Sequence, residues 1–221
     1  MTRIVCFDWG GVILRICRSW EQGCQLAGVP IHEQLLVPER RAQRVELAEL
    51  YQRGELACDA FFQALAETTE GLLSPGQVRK IHHAWLIDEY PGVGSLIDTL
   101  NSRTDVTTAM LSNTNETHWK RQHNGPGGFP AASRLTIRLA SHELGIAKPD
   151  PAIYRAATER FGVAPSEILF FDDLPDNIEA ARNAGWQAKH IDHEGDTCAQ
   201  MREHLVGLGV LEVGALRDQQ Q

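Results

Sequence analysis

The 221-residue sequence contains no C-x-x-C pair, no apolar run of membrane-spanning length and no excess of basic residues. Its five cysteines are odd in number and widely spaced, which argues against a disulfide framework and predicts reduced thiols. The net charge of −8 disfavours binding to nucleic acids or anionic membranes. Asp8 interrupts the first apolar run, so the N-terminal segment lacks the layout of a signal peptide. We expect a soluble cytoplasmic protein, monomeric or homodimeric, without nucleic-acid or membrane partners.

Short apolar or β-branched runs recur along the chain and predict the buried strands of a parallel sheet. The strongest lie at residues 3–7, 106–111 and 168–171, and weaker ones lie at 135–139 and 187–191. Helical patterns begin at Asp150-Pro151 and near Pro175, and they end at Gly162 and Gly185. This alternation predicts an α/β fold with a Rossmann-like, doubly wound parallel sheet.

Residues 15–92 have a different hydrophobic pattern, which predicts an all-helical insert between the first and second core strands. Amphipathic patterns follow one another there without a strand-like run. Ser19 with Gln22 three residues later is typical of a capping box at the first helix. We therefore predict an α/β core from residues 1–14 and 93–221, and a helical insert from residues 15–92.

Polar side chains stand where three of the predicted strands end. Asp8 follows the first strand, Ser112-Asn113 the second, and Asp172-Asp173 a later one. Each alone is most simply a turn or helix-capping residue. Ligands of open parallel sheets bind outside the carboxyl ends of the strands. Three such ends together therefore predict one functional cleft.

Lys148 is a candidate for the same cleft, although a lone lysine is most often a solvated surface charge. Pro149 biases Lys148 towards an extended conformation in the loop before a helix. An extended lysine at that point can reach back over the end of the sheet.

The ordered motifs resemble the haloacid dehalogenase superfamily. They are Asp8-x-Gly-Gly, Ser112-Asn113, Lys148-Pro-Asp-Pro and Asp172-Asp173 with the later Asp-Asn and Ala-Gly pairs. The helical insert resembles the cap of subfamily I members. The segments around Lys148 and Asp172 are similar to sugar phosphatases of the glucose-1-phosphatase type and to the phosphatase domain of epoxide hydrolases. The resemblance covers nearly the whole chain.

The resemblance implies a Mg²⁺-dependent phosphomonoester hydrolase for a small phosphometabolite, such as a sugar phosphate. Asp8 would be the nucleophile that forms an aspartyl-phosphate intermediate. Mg²⁺ prefers hard oxygen ligands. The implied ligands are Asp8, the Gly10 carbonyl and one or both of Asp172 and Asp173.

The resemblance also implies a phosphate-binding group. Ser112, the Asn113 backbone amide and Lys148 would hold the phosphoryl oxygens, and Lys148 would count among the catalytic residues. These groups would supply the local positive potential that an acidic chain otherwise lacks.

The sequence departs from the family pattern at Gly10. Most phosphatases of the superfamily carry a second aspartate there, which protonates the leaving group and then activates water. Relatives of the glucose-1-phosphatase type also have glycine at this position. His32, Glu55, Asp59 or a bound water are candidate replacements, and the sequence selects none of them.

Two alternative functions stay open. A 2-haloacid dehalogenase also lacks the second aspartate, but such relatives carry tyrosine at the position of Gly10 and lack the paired acids that Asp172 and Asp173 provide. A non-catalytic protein of this fold that binds a phosphometabolite or a partner protein is the other alternative.

Several residues of the insert are candidates for substrate contact. Arg15 and Arg18 either meet an anionic substrate or lie at a solvated hinge. The aromatic residues Trp20, Phe61, Phe62 and Trp85 are expected to pack the insert, and one of them could line a substrate pocket.

Overall fold

The computed structural model describes residues 1–212 and 214. Its central sheet has five parallel strands. They lie in the spatial order β5 (Ile137–Ala140), β4 (Thr107–Ser112), β1 (Ile4–Phe7), β6 (Ile168–Asp172) and β7 (Gln187–His190). Every predicted strand is present within two residues of its expected position, which confirms the Rossmann-like α/β core.

Helices cover both faces of this sheet because its strands bury both sets of side chains. One face packs against α5 (Val93–Asn101) and α10 (Thr197–Gly207), and the other against α8 (Pro151–Phe161) and α9 (Pro175–Asn183). In β1, Val5 and Phe7 belong to the first cluster, whereas Ile4 and Cys6 belong to the second. This alternation is the period-two pattern of a strand with two buried faces.

Short elements complete the core. The structure has two four-residue helices, α6 (Glu116–Trp119) and α7 (Ser141–Leu144). Single 3₁₀ turns lie at Glu33–Leu35, Ala132–Arg134 and Pro165–Glu167. Asn115, three residues after the end of β4, caps α6 by accepting a hydrogen bond from the His118 amide at 3.1 Å. A connection of three residues, 113–115, thus leads from the end of β4 into α6.

The helical insert consists of α1 (Trp20–Ala27), α2 (Pro38–Gln52), α3 (Cys58–Glu67) and α4 (Pro75–Ala84). These helices share a hydrophobic cluster of their own, whose largest buried members include Phe61, Phe62 and Ile81. Ser19 caps α1 as predicted, accepting from the Gln22 amide at 3.2 Å. The Gln22 side chain accepts from the Arg18 amide rather than from Ser19, so the capping box is only half formed there.

The prediction that residues 15–92 are entirely helical is wrong at their two ends. The strands β2 (Leu14–Ile16) and β3 (Leu86–Glu89) pair antiparallel where the chain enters and leaves the insert. Arg15 and Asp88 join them, with Nε to Oδ1 at 2.6 Å and Nη2 to Oδ2 at 2.7 Å. Strands of three and four residues are too short to show an alternating pattern in sequence.

The domain boundaries at 14/15 and 92/93 stay a prediction. Residue 213 and residues 215–221 of the predicted core lie outside the described residues.

Within the described part of the chain, no helix has the length and apolar character required to cross a membrane.

Candidate active site

The predicted polar residues meet at the carboxyl edge of the sheet. Asp8 directly follows β1, Ser112 ends β4, and Asp172 ends β6 with Asp173 one residue further on. All four residues are buried. Three of them carry a carboxylate, and two of these, Asp172 and Asp173, are neighbours in the chain. Burial of several ionisable groups at one place is costly unless they are paired, so their partners define the site.

Lys148 supplies the central partner. Its ammonium Nζ lies 2.9 Å from Oδ1 of Asp8 and donates a hydrogen bond of 2.7 Å to Oδ2 of Asp172. Burial opposes the Lys148 charge, yet Asp172 and Asp8 together raise the pKa of Lys148 above the ordinary lysine value. The structure therefore brings together the loop lysine and two strand ends, as the sequence predicted.

Asp8 has two differently occupied carboxylate oxygens. Oδ1 accepts the Trp9 amide at 2.7 Å in addition to its contact with Lys148. Burial raises the pKa of Asp8 to about 7, and Lys148 opposes that rise. The Oδ1 atom is thus fixed by two donors, and Oδ2 is the oxygen left for a reacting group.

Asn113 holds the lysine loop through its side chain. Its amide nitrogen Nδ2 donates to the Lys148 carbonyl at 2.8 Å, and its Oδ1 accepts from the Lys148 backbone N–H at 2.8 Å. This pair of hydrogen bonds fixes the backbone from which the buried ammonium group extends. The sequence assigned only the backbone of Asn113 to the site and gave no signal for the role of its side chain.

Asp172 accepts hydrogen bonds at both of its oxygens. Oδ1 accepts from the Leu174 amide at 2.9 Å and from Asn177 Nδ2 at 3.0 Å. Oδ2 accepts from Lys148 and from the same Asn177 nitrogen at 3.0 Å. Three donor groups, one of them shared between the two oxygens, therefore fix the orientation of Asp172. The Asp-Asn motif was recognised in the sequence, but no role for Asn177 could be assigned from it.

Asp173 faces the linker that leads into the insert. Its Oδ2 lies 2.8 Å from Nη1 of Arg18 and 3.5 Å from Nδ1 of His193. A Cβ atom at Gly11 would collide with the Asp173 carboxyl group, and Gly11 has a φ of +87°. Glycine is therefore required at residue 11 for two independent reasons. Arg18 thus pairs with an acid of the site, and its contact with an anionic substrate stays a prediction.

Three acids gather closely enough to hold a cation. Asp8, Asp172 and Asp173 each offer a carboxylate oxygen, and these oxygens lie within 4.8 Å of one another. Among residues 1–212 and 214, no other group of three acidic, histidine or cysteine side chains meets that condition. The cluster is the one that the sequence motifs predicted.

A cavity of about 460 Å³ lies between this sheet edge and the helical insert. On the core side it is lined by Trp9 and Gly10, which follow Asp8, and by residues 112–115. On the insert side its walls include Arg18, Trp20 and Trp85. Of the described lining residues, none is His32, Glu55 or Asp59, so the candidate replacements for the missing aspartate are not at the cavity.

The insert is joined to the core beside this cavity by contacts with α6. Tyr51 Oη and Thr117 Oγ1 are 2.6 Å apart. The imidazole rings of His82 and His118 stack with centroids 3.9 Å apart, and His118 Nε2 lies 2.9 Å from the His82 carbonyl oxygen. The helix that follows the end of β4 is therefore also the surface to which the insert attaches.

Comparison with known sequences agrees with this geometry. The chain matches the haloacid dehalogenase-like hydrolase family over residues 2–185. It belongs to that family. A HAD family enzyme of Bacteroides thetaiotaomicron superposes with a TM-score of 0.76 at 23% identity, covering 88% of this chain and 96% of that one. The same enzyme has been crystallised with magnesium and inorganic phosphate.

Curated relatives of this family member include phosphatases. A phosphatase of Mycobacterium tuberculosis is 43% identical over 81 residues, which are 37% of each chain. The phosphoserine phosphatase of Thermus thermophilus is 41% identical over 66 residues, which are 29% of this chain and 26% of that one. The matched segments thus span about a third or less of these relatives.

Proposed function

We propose that the protein is a Mg²⁺-dependent phosphomonoester hydrolase that acts on a small phosphorylated metabolite through an aspartyl-phosphate intermediate. The observation that carries the proposal is the buried contact between the Lys148 ammonium group and Asp8 at the end of β1. It presents a carboxylate of fixed orientation beside a permanent positive charge. The phosphatases among the relatives support the same reaction class.

The acids at the site fit Mg²⁺. Three buried carboxylates provide hard oxygen donors within a few ångströms of one another, as this ion prefers. Because Lys148, Asn177 and the Leu174 amide already hold both oxygens of Asp172, we assign to Asp172 the positioning of Lys148. We assign the metal to Asp8, Asp173 and the carbonyl of Gly10. When bound there, Mg²⁺ would offset the repulsion between the Asp8 carboxylate and a phosphate group.

The first chemical step belongs to Asp8. Oδ2 attacks phosphorus, so that an oxygen–phosphorus bond to Asp8 forms while the ester bond to the leaving group breaks. Oδ1 remains held by the Trp9 amide and Lys148. Water then attacks the phosphorus atom, the bond between phosphorus and Oδ2 of Asp8 breaks, and a proton of the water passes to solvent. The Asp8 carboxylate is thereby restored and inorganic phosphate is released.

Donors around Asp8 are suited to hold the phosphoryl oxygens. We assign this role to the Ser112 hydroxyl, the Asn113 backbone N–H and Lys148. Ser112 and Asn113 line the cavity at the end of β4, and Asn113 fixes the Lys148 backbone. Donors that are already oriented need no reorganisation as charge develops on the phosphoryl group.

The test is Asp8→Asn, measured by Mg²⁺-dependent phosphate release from p-nitrophenyl phosphate. The amide keeps the shape but is a poor nucleophile, so we expect turnover to fall by roughly 10³-fold or more. Asp176→Asn removes an exposed acid near the same sheet edge and is the matched control. Wild-type turnover in a correctly folded Asp8→Asn variant would contradict the nucleophile assignment.

Chloride release from chloroacetate, measured with the same preparation, distinguishes a dehalogenase from a phosphatase. The structure favours the phosphatase because Asp172 and Asp173 are both present at the site. Binding of inorganic phosphate without any turnover would instead support the non-catalytic alternative.

A further inference from the structure

The wall of the cavity on the insert side is rich in aromatic and aliphatic side chains. Trp20, Val45, Phe61, Ile81 and Trp85 all line it. Such a lining recognises an apolar or ring-shaped body better than a polyhydroxylated one, because hydroxyl groups placed against it would lose hydrogen bonds to water. The volume of about 460 Å³ also leaves room for more than a phosphate group.

Two arginines interrupt this apolar wall. Arg41 and Arg44 lie one turn apart on α2, and both line the cavity. The Arg44 guanidinium carbon lies 4.7 Å from the centre of the Trp20 ring, and its Nη1 donates to the Leu35 carbonyl at 2.7 Å. A backbone acceptor and an indole face therefore fix the orientation of the Arg44 fork.

Neither arginine has a carboxylate partner. Within residues 1–212 and 214, no acidic oxygen lies within ion-pair distance of Arg41 or Arg44, whereas their neighbour Arg40 pairs with Glu70. Partial burial lowers the pKa of Arg44, although a guanidinium group keeps its charge at neutral pH. Glu21 acts on Arg44 only from beyond ion-pair distance, so the oriented, half-buried guanidinium group of Arg44 is a favourable place for an anion.

The charge of the cavity wall points the same way. Of the described residues that line it, Glu21 is the only acid, against Arg18, Arg41 and Arg44. Arg18 is already paired with Asp173. The two arginines of α2 therefore leave excess positive charge on the insert side, away from the Lys148 ammonium group at the sheet edge.

We propose that Arg41 and Arg44 form a second anion-binding site and that the substrate is a phosphomonoester with an apolar, ring-containing body and a second anionic group. The proposal rests on the proposed function, since the phosphomonoester end must lie at Asp8. The second group presents two or more oxygens to the guanidinium forks, as a carboxylate or a phosphate does. The body between the two ends contacts the indole and phenyl rings.

The experiment compares esters that differ only in this second group. Wild-type KM is measured for 4-carboxyphenyl phosphate, for its uncharged isostere 4-carbamoylphenyl phosphate and for 1,4-phenylene bisphosphate. A hydrogen-bonded charge contributes about 1.5–3 kcal/mol, so we expect KM at least about tenfold lower for an anionic ester than for the carbamoyl ester. The carboxylate and bisphosphate arms identify which anion the site prefers.

Variants assign the preference to the two arginines. Arg44→Ala and Arg41→Ala should each bring the KM ratio of carboxyl to carbamoyl ester close to one. Arg40→Ala, on the same helix but outside the cavity lining, should leave the ratio unchanged. Arg44→Gln is the second variant if loss of the hydrogen bond to Leu35 prevents the Arg44→Ala protein from folding.

Binding without turnover separates this inference from the proposed function. Binding of 4-phosphonobenzoate and of its carbamoyl analogue is followed by the intrinsic tryptophan fluorescence of the protein, to which the cavity residues Trp9, Trp20 and Trp85 contribute. Tighter binding of 4-phosphonobenzoate with no phosphate release from any ester would overturn the hydrolase proposal and support the second site. Phosphate release with equal KM for the charged and uncharged esters would overturn the second site alone.

Discussion

The Cδ1 atom of Ile16 lies 3.0 Å from the position that a Cβ atom on Gly10 would occupy. The space beside the position where the family's second acid stands is therefore filled by an apolar side chain of β2. Gly10 does not have a positive φ, so its backbone conformation is open to other residues. Contact with a flexible side chain, not backbone strain, is what limits substitution at this position.

We predict that leaving-group expulsion in the wild-type enzyme depends on the acidity of the leaving group. Without an acid at Gly10, aryl phosphates should react fastest, anomeric sugar phosphates more slowly and alkyl phosphates slowest. Gly10→Asp combined with Ile16→Ala should accelerate alkyl phosphates by up to ~10² and aryl phosphates hardly at all. Single-turnover rates against leaving-group pKa measure this step.

Ile16→Ala alone is the control, because it opens the same space without adding a proton donor. A flat dependence on leaving-group pKa in the wild-type protein would show that another group already donates the proton. A similar loss of rate for all substrates in the double variant would show that the loop, not the chemistry, has been changed.

The ion pair between Arg18 and Asp173 predicts competition with the metal. If Mg²⁺ binds Asp173 through Oδ2, the guanidinium group must give up its 2.8 Å contact with that oxygen. A partly exposed pair of this kind contributes about 1 kcal/mol, so Arg18→Gln should tighten Mg²⁺ binding roughly fivefold. Isothermal titration without substrate gives the dissociation constant.

Arg15→Gln is the matched control for this measurement, because Arg15 pairs with Asp88 in the strand ribbon instead. Weaker Mg²⁺ binding in Arg18→Gln would mean that Arg18 helps to assemble the metal site, and Asp173 would lose its assignment as a direct ligand.

Asn113→Ala should loosen Lys148 without removing its charge. The variant leaves the backbone N–H and C=O of Lys148 without their 2.8 Å partners. We expect the free energy of unfolding to fall by about 1–3 kcal/mol and kcat to fall more than KM rises. Denaturant unfolding and steady-state kinetics give both quantities, and Asn183→Ala in α9 is the control. Unchanged kcat together with reduced stability would reduce Asn113 to a structural role.

The stacked histidines predict lower stability in acid. Burial lowers the pKa of His118 to about 4 and that of His82 well below its ordinary value of 6.5. The charge of His118 further lowers the pKa of His82, and the charge of Arg121 further lowers that of His118. As the pH falls below 6.5, the unfolded chain therefore binds more protons than the folded protein does. The free energy of unfolding decreases until the pH reaches the pKa of the folded state. His118 alone should cost roughly 2 kcal/mol between pH 7 and pH 5.

His118→Gln should flatten that part of the pH dependence, and His32→Gln, which lies outside this interface, should not. The measurement is the free energy of unfolding by denaturant at several pH values. An unchanged slope in His118→Gln would show that other groups control acid stability.

The sequence was most informative where a local pattern of residues determines the local structure. Buried strands appear as apolar runs, and Asp8 and the paired acids stand at the ends of two of them, so the sheet and the meeting place of these acids could be predicted together. The contacts of Arg18 with Asp173 and of the Asn113 side chain with Lys148 could not be. They join residues far apart in the chain, and nothing local distinguishes such side chains from solvated ones.

The contacts of Arg44 could not be predicted from the sequence either. Its position on an amphipathic helix is typical of a solvent-exposed charge, and the sequence assigned it no role. Its orientation depends on Trp20 and the Leu35 carbonyl, which come near it only through the packing of the insert. The two strands β2 and β3 escaped prediction for the simpler reason that they are very short.

The pairing of β2 with β3 also has a mechanical consequence. The two chain segments that tie the insert to the core run as one hydrogen-bonded ribbon, fastened by Arg15 and Asp88. Two connecting segments without hydrogen bonds between them would allow the insert to rotate and shift relative to the core. A two-stranded ribbon resists shear between its strands and bends most easily across its face. Any displacement of the insert relative to the core would therefore be confined largely to bending of this ribbon.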